Sequence, residues 1–398
     1  MSATSNKIGV VTAVIIGMNA MIGSGIFMVP ASLAMAAGST GLITYMFVIF
    51  SVWFIALSLA RLTQLYPQEG SFYVYAKQWG GHAIGVLSSG AYLVGLLIAM
   101  GLLCQMAGIY LHHYFPGINP YHLGLCTLLI LTLFNAIGVV FSQAGQYVLI
   151  GCTVFPLITA TIMCLTKFNH INLIPKTNFS FVNILQAIEP VIFGFFGFEC
   201  TTSLFSIISK PEKNLSKAVT YSIILVSIIY FIFTVSIIAS TPLNLFTDPN
   251  IPIPSILAQI FPNSYWIIEG IHLSTLSAVL GTIHSTIWSS SGLLLSLAKL
   301  LKNKTTKYIV SKNILNPKTS VFFVGLCILS SFVFLKNIKL FFCFTALFIV
   351  FAYLTSMITL LTLKSEWKSK QNIKTIIGIL TSLVIIAFAV EGITSELI

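Results

Sequence analysis

The sequence predicts an all-α protein that crosses a membrane about eleven times. Of its 398 residues, 57% are hydrophobic and only 7% are charged, whereas a soluble domain carries about 25% charged residues. The apolar residues fall in long runs, and about 20 apolar residues cross the hydrocarbon core of a bilayer. We therefore expect a single transmembrane domain over residues 1–398, with the lipid bilayer as its surroundings.

Eleven apolar runs can be placed along the chain. The polar and aromatic residues 64–82 predict an interfacial helix, and several prolines between residues 242 and 262 predict an ordered loop. The eighth run is too long for one crossing, so its end should extend into the cytosol. The predicted spans cover residues 8–37, 40–63, 83–111, 121–141, 145–166, 184–209, 217–241, 263–300, 319–335, 338–363 and 373–391.

Two of these spans are interrupted by glycine. Gly23-Ser24-Gly25 lies inside the first span, and Gly194 and Gly197 lie inside the sixth. Glycine is a poor helix former, and unpaired backbone groups are costly in hydrocarbon. Such breaks persist only where protein, water or a ligand satisfies the freed groups. Broken helices at corresponding positions of two halves predict a transporter binding site.

The span count also predicts an inverted repeat. Helices 1–5, at about residues 8–166, and helices 6–10, at about 184–363, form two halves with an odd number of helices each. The halves then lie in opposite orientations, and a broken helix opens each one. Helix 11, at about residues 373–391, lies outside this five-plus-five core.

Four stretches of the chain carry a resemblance to a known family. They are Gly23-Ser24-Gly25-Ile26-Phe27, Phe195-Phe196-Gly197-Phe198-Glu199, and residues 67–75 and 210–214. The first two resemble the helix 1 and helix 6 motifs of the amino acid–polyamine–organocation (APC) transporters, and the others resemble the segments after helices 2 and 6. The resemblance implies a LeuT-like fold and transport of an amino acid or amine. The family usually has twelve helices, so the eleven placed here leave oligomeric packing, including a homodimer, open.

The two breaks suit the two charges of an amino acid backbone. Free N–H groups where helix 1 restarts favour a carboxylate, and free carbonyls where helix 6 stops favour an ammonium group. Alternatively, the glycines only allow close helix packing, although a spacing of three fits the GxxxG pattern poorly. Phe193 stands where the resembling arginine antiporters carry a Trp, and Met100 stands near the position where they carry an Asn in helix 3. Both departures weaken the case for a guanidinium-specific site. The predicted substrate-binding residues are Ile22, Gly23, Ser24, Gly25, Ile26, Met100, Phe193, Gly194 and Gly197.

Two ionisable residues are candidates for proton coupling. An acid at mid-membrane costs about 2.5–3.5 kcal/mol on insertion scales, so Glu199 should face a cavity or a partner. In the resembling arginine/agmatine-type antiporters, the glutamate of this motif is tied to proton sensitivity; alternatively, Glu199 caps the second half of helix 6. His284 either shuttles protons or packs as a buried histidine, the reading that we favour. Glu189 and Glu269 lie nearer the outer ends of their spans, where we expect water to reach them.

Sodium, metals and cofactors receive less support from the sequence. A run of Thr286, Ser289, Ser290 and Ser291 could bind Na⁺, but bonding of these hydroxyls to their own helix is favoured. Helix 5, residues 145–166, lacks the lysine that some proton-coupled relatives place there, which makes that particular route doubtful. The seven cysteines fall in apolar runs without metal-type spacing, and the histidines at 112, 113 and 122 are interfacial. We expect neither a metal nor a cofactor. Proton coupling or exchange is favoured over Na⁺ coupling.

The charge pattern predicts orientation and argues against a nucleic-acid partner. The net charge is +11, but nearly all basic residues are Lys. With a cytoplasmic N-terminus, sixteen Lys and Arg residues fall in cytosolic segments and four in outer segments, namely Lys167, Lys176, Lys336 and Lys339. The positive-inside rule favours this arrangement, which indicates an inner or plasma membrane protein.

We therefore expect secondary active transport of an amino acid or related amine by alternating access. A membrane-embedded receptor or subunit would bind the same substrate without moving it. A membrane enzyme would need a nucleophile beside a base, and the sequence contains no GxSxG or HExxH motif. A channel is disfavoured because the breaks lack carbonyl-ring or charge-ring motifs.

Overall fold

The structure is a computed structural model. It describes residues 7–23, 25–68, 71–138, 143–174, 181–206, 208–248, 251–300, 312, 314–363 and 370–397. In these ranges the regular structure is helical, apart from one isolated parallel bridge between Ile8 and Ile208.

The helices follow one another along the chain. In chain order they are α1 Val10–Met21, α2 Gly25–Ala37, α3 Gly41–Leu65, α4 Ser71–His112, α5 Pro120–Ala136, α6 Gln143–Thr166, α7 Phe181–Gln186, α8 Ile188–Phe193, the 3-10 helix Phe198–Ser206, α9 Pro211–Ser240, α10 Ile253–Ile260, α11 Tyr265–Leu300, α12 Pro317–Phe334, α13 Ile338–Thr362 and α14 Lys370–Leu397.

These helices match the eleven predicted spans. The described part contains nine helical stretches long and apolar enough to cross a membrane, and α1 and α5 are shorter apolar helices. One of the nine stretches combines α2 and α3, which a turn at Gly38 with a φ of 55° separates. The first span is α1 with α2, and the sixth is α7, α8 and the 3-10 helix.

The predicted interfacial segment is a helix that also packs into the protein. Gly81, with a φ of 70°, separates residues 71–80 from the rest of α4. Trp79 donates its indole N–H to the carbonyl of Thr355 on α13 at 2.7 Å, and Phe72 is buried. The segment is therefore anchored on α13 rather than resting at the surface alone.

The broken spans lie at the centre of the helix bundle. α9 packs against α1, α3 and the 3-10 helix, while α13 packs against α4, α8 and α14. α11 packs against α4 and α6, and α10 lies on α11 and α2. Every residue of α8 is buried. Other helices thus cover both broken spans, which lets unwound backbone persist within a membrane.

Candidate functional site

The helix 1 break comprises residues 22–24, between α1 and α2. Ile22 leaves the helical conformation with a ψ of 76°, and its N–H still bonds the carbonyl of Met18 at 2.7 Å. The N–H of Gly23 bonds the carbonyl of Met21 at 2.9 Å. Ser24 lies outside the described residues. The helix therefore ends at Met21, two residues before the glycine-serine-glycine motif, and restarts at Gly25, the last residue of that motif.

Two other helices hold the helix 1 break from the side. The Tyr230 hydroxyl on α9 donates to the carbonyl of Met21 at 2.9 Å, and Tyr230 is fully buried. On α11, Thr282 lies so close that a Cβ added to Gly23 would be 3.1 Å from its Oγ1. Met21, the last residue of α1, therefore has a hydroxyl partner as well as a backbone one.

The helix 6 break comprises residues 194–197, between α8 and the 3-10 helix. The N–H groups of Gly194, Phe195 and Phe196 each bond the carbonyl three residues earlier, at 3.2, 3.0 and 3.3 Å. These tighter turns end at Gly197, whose φ of 117° is a conformation that residues with a Cβ rarely adopt. The predicted interruption near residues 193–197 is confirmed at the level of the backbone.

The two breaks touch each other. A Cβ added to Gly197 would lie 2.3 Å from the carbonyl oxygen of Ala20, and one added to Gly25 would lie 3.3 Å from the Cα of Gly194. Close packing, one of the two roles considered for these glycines, therefore occurs at both breaks, where the backbone also leaves the α-helical conformation. The start of α2 lies directly against the end of α8.

Three predicted binding residues surround this contact. Ile22 and Ile26 have no exposed surface. The ring of Phe193 would lie 3.3 Å from a Cβ on Gly25, and its centroid is 5.0 Å from that of Phe342 on α13. Phe193 thus covers the junction of the two breaks from the side of α13.

Met100, the remaining predicted binding residue, is buried on α4. Its neighbour Gly101 packs against Ser331 on α12. This places Met100 in the core of the bundle, while its part in binding rests on the family resemblance.

Glu199 is bonded to the helix 6 break itself. It is 1% exposed, and its Oε2 accepts hydrogen bonds from the N–H of Gly197 at 3.0 Å and from the hydroxyl of Tyr353 at 2.7 Å. The carboxylate therefore caps the unwound residue two positions before it. Oε1 has no hydrogen-bond partner within the described residues, which leaves one acceptor of this carboxylate unused.

Aromatic side chains pack around Glu199, and they connect the helix 6 break with the helix of residues 71–80. The ring of Tyr353 lies 5.9 Å from that of Phe72 and 5.4 Å from that of Phe198. The ring centroids of Tyr92 and Phe72 are 4.4 Å apart, and the hydroxyl of Tyr92 is 3.7 Å from the sulfur of Cys200. The cluster joins four chain segments around one carboxylate.

His284 is held by a neighbouring helix. It is 4% exposed, and its Nδ1 lies 2.9 Å from the amide nitrogen of Asn135 on α5. Because an amide N–H can only donate, Nδ1 accepts this bond. The contact fits the packing role favoured in the sequence analysis.

Two hydroxyls of the α11 polar run bond their own helix. Ser289 donates to the carbonyl of Thr286 at 3.2 Å, and Ser291 donates to that of Trp288 at 2.7 Å. This is the arrangement favoured over Na⁺ binding. Among the described residues, no group of three or more His, Cys, Asp or Glu side chains could hold a metal ion.

The two acidic residues expected to be wetted differ. The side chain of Glu269 is 24% exposed, and its Oε2 lies 3.0 Å from His113. Glu189 is only 3% exposed, so the expectation that water reaches it is wrong. α13 and α14 both pack against α8 and cover this residue.

The described cavities lie away from the breaks. One of about 250 Å³ is lined by His113, Glu269 and His272 together with residues of and next to α10. A more open one of about 580 Å³ is lined by Ile109 of α4 together with Asp248 and neighbouring residues of the loop before α10. The junction of the two breaks is closed by direct contact instead.

Sequence reasoning missed the residues that hold the breaks. Tyr230, Thr282 and Tyr353 contact them directly, and Asn135 holds His284. The only available signal was a polar side chain inside an apolar run. With 14 Tyr in the chain, that signal could not single out two of them.

Comparison with known proteins gives a family and a fold. The family model for amino acid permeases matches residues 12–393. A solved structure, MhsT in complex with L-phenylalanine, superposes with a TM-score of 0.67 and 14% identity, covering 96% of this chain and 98% of that one. This likeness shows the predicted LeuT-type fold, with its broken first and sixth helices.

The sequence relatives are transporters that match over part of their length. An uncharacterized transporter of Mycobacterium tuberculosis is 23% identical over 298 residues, which cover 74% of this chain and 66% of the relative. The aspartate-proton symporter of Bacillus subtilis is 26% identical over 244 residues, covering 58% and 47%. The chain thus spans about half to two thirds of these relatives. With its apolar helices, it is a multi-pass membrane protein.

Proposed function

Because the chain belongs to the amino acid permease family, we propose that it is a secondary active transporter. Its substrate would be an amino acid or a related amine, moved by alternating access. Relatives named as transporters, one of them an aspartate-proton symporter, support this choice. The protein would act without a cofactor and would make or break no covalent bond in its substrate.

The contact between the two breaks carries the proposal. The N-terminal end of α2 and the C-terminal end of α8 meet at Gly25 and Gly194. The first has positive and the second negative dipole character, so one small region suits both a carboxylate and an ammonium group. We assign the substrate backbone to residues 22–26 together with Gly194 and Gly197, and its side chain to the surface of Phe193 and Met100.

The arrangement described here would be a closed one. A substrate can reach the junction only if α2 and α8 separate, since their backbones are in contact. We propose that Glu199 links this movement to protons, because its carboxylate holds both Gly197 of the break and Tyr353 of α13. His284, the other candidate, is bonded to Asn135, so a positioning role is proposed for it.

Uptake into liposomes tests the proposed function. Purified protein would be reconstituted and offered a panel of radiolabelled amino acids and amines, with and without proton or sodium gradients and with internal counter-substrate. We expect saturable uptake of one substrate class, stimulated by a proton gradient or by exchange. Binding without uptake would support the receptor alternative. The absence of both binding and uptake would overturn the proposal.

The proposed orientation places the N-terminus in the cytoplasm. The sixteen-to-four division of Lys and Arg between the two sides supports it. Alkaline phosphatase fused after residue 398 should then be active, because an odd number of spans places that position outside. A fused cytosolic reporter that is active there would mean that a span has been missed or merged.

A further inference from the structure

The broken sixth span carries a second buried carboxylate, outside the site described above. Glu189 is the second residue of α8 and is 3% exposed. α8 packs against α13, α14, α2 and α3. By the proposed orientation this end of α8 faces the outside, on the other side of the break from Glu199.

Glu189 shares its surroundings with a lysine and a thiol of α13. A Cβ added to Gly392 on α14 would lie 3.5 Å from Oε1 of Glu189, 3.8 Å from Cε of Lys339 and 2.5 Å from the sulfur of Cys343. The carboxylate of Glu189 and the aliphatic part of Lys339 therefore both lie next to Gly392. The missing side chain at Gly392 is what allows α14 to pass so close.

Lys339 is nevertheless paired with another carboxylate. Its Nζ lies 3.0 Å from Oε1 of Glu396 and 3.1 Å from the hydroxyl of Ser395, both on α14. The side chains of Lys339 and Glu396 are 37% and 27% exposed. Water reaches this ion pair, whereas Glu189 lies buried behind it.

Within the part of the chain that the structure describes, the charged groups around Glu189 come from two helices. α2 and α7 contain no charged residue, and the single charged residue of α3, Arg61, lies near its far end. Among the described residues, Lys339 of α13 and Glu391 of α14 act on Glu189 directly. Cys343 of α13 and Glu396 of α14 complete the group of titratable side chains around Lys339.

We propose that Glu189 is a proton-binding residue that shares Lys339 with Glu396 and thereby controls how α8 packs against α13 and α14. A buried charge is costly unless it is fully paired, and one lysine cannot fully pair with two carboxylates. Ionised Glu189 therefore favours an arrangement in which α8 separates and water reaches the carboxylate. Protonated Glu189 favours the closed packing described here.

The proposed function rests on a movement of this same half of helix 6. A proton taken up by Glu189 from the outer side would favour closure of that side, and closure would in turn strengthen proton binding. Proton binding and closure thus strengthen each other. The role of Glu189 in the transport cycle rests on the proposed function, whereas the proton-dependent opening at Glu189 does not.

Cys343 provides a direct readout of opening at Glu189. In a variant that keeps Cys343 as its only cysteine, the rate of labelling by a membrane-impermeant maleimide would be measured from the outer face of cells at pH 5 to 8. Dividing by the same rate in the Glu189→Gln variant removes the pH dependence of the thiol reaction that does not involve Glu189. An ionised Glu189 beside the thiol would by itself slow labelling, so a ratio that rises with pH reports opening. Glu212→Gln serves as the control, because it removes an exposed carboxylate of α9, which contributes none of the groups that act on Glu189.

We divide the labelling rate of the single-cysteine protein that retains Glu189 by the rate of the same protein with Glu189→Gln. We expect this ratio to rise with pH. A tenfold difference in proton affinity between the open and closed arrangements would give about a tenfold rise. Glu396→Gln should reduce the rise, because Lys339 is then free to pair with Glu189. In Glu212→Gln the rise should persist.

A ratio that stays constant from pH 5 to 8 would overturn the proposal. If the single-cysteine variant does not fold, hydrogen exchange of residues 184–193 in otherwise native protein and in Glu189→Gln gives the same test. Exchange that responds equally to pH in both proteins would also overturn it. Neither readout needs substrate, so the test remains valid even if the protein does not transport. If the protein takes up substrate but the ratio of labelling rates stays constant with pH, only the role of Glu189 is refuted.

Discussion

The two broken helices are held in different ways. At the helix 1 break, the last carbonyl of α1 accepts from the backbone of Gly23 and from the hydroxyl of Tyr230. At the helix 6 break, the N–H of Gly197 is bonded by the carboxylate of Glu199, two residues further along the same chain. One break relies on a neutral side chain of another helix, and the other on an ionisable side chain of its own turn.

This difference indicates where pH can act. The hydrogen bond of Tyr230 does not change in the physiological range, because a buried phenol stays protonated there. A carboxylate can gain a proton, and Glu199 also bonds Tyr353 on α13. Protonation would therefore alter the helix 6 break and its link to α13, while the helix 1 break keeps its partners.

Gly197→Ala should have the largest effect. A residue with a Cβ is strained at a φ of 117°, and its Cβ would lie 2.3 Å from the carbonyl of Ala20. Backbone strain alone costs about 1–3 kcal/mol, so we expect a lower melting temperature in detergent and loss of uptake. Gly194→Ala is the matched control, since its Cβ would meet its nearest neighbours at 3.4 Å. Equal melting of the two variants would contradict the assigned geometry.

Gly25→Val should abolish substrate binding while the protein still inserts. The added side chain would enter the contact between α2 and α8, where a Cβ alone would lie 3.3 Å from the Cα of Gly194 and from the ring of Phe193. Binding to purified protein would be measured by calorimetry. Gly151→Val, at a position with no neighbour within 4 Å, controls for the substitution itself. Unchanged affinity in Gly25→Val would remove the helix 1 break from the binding site.

Glu199→Gln should flatten the pH profile of uptake but preserve substrate binding. Glutamine keeps an oxygen that can accept from Gly197, yet it cannot ionise. Uptake would be compared between this variant and the unmodified protein from pH 5 to 8. If the variant only lowers protein yield, and the remaining activity keeps its pH profile, Glu199 has a capping role alone.

Tyr230→Phe should have the smallest effect and leave the pH profile unchanged. It removes one of two donors to the carbonyl of Met21, and the bond from Gly23 remains. We expect a loss of about 1 kcal/mol in stability, measured as a small fall in melting temperature. Tyr221→Phe, at a 50% exposed position of the same helix, should have no such effect. A changed pH profile in Tyr230→Phe would remove the contrast between the two breaks.

The sequence by itself determined the spans and the positions of the breaks. Lipid offers no hydrogen bonds to the backbone, so a crossing segment must be a long apolar helix and a break must be marked by residues such as Gly23, Gly25 and Gly197. Both signals are local and can be read along the chain. The 3-10 helix after Gly197 and the helix of residues 71–80 add detail to the predicted elements without moving them.

Only the tertiary structure decided which side chains surround the breaks. Tyr230 and Tyr353 contact them because α9 and α13 are their neighbours and are rotated to face them, and spacing along the chain contains neither fact. For the same reason Glu189 was expected in water and is buried: its exposure depends on α13 and α14, which lie some 150 to 200 residues later in the chain. A residue's position along a span predicts its depth in the membrane, but its burial depends on the helices that pack against it.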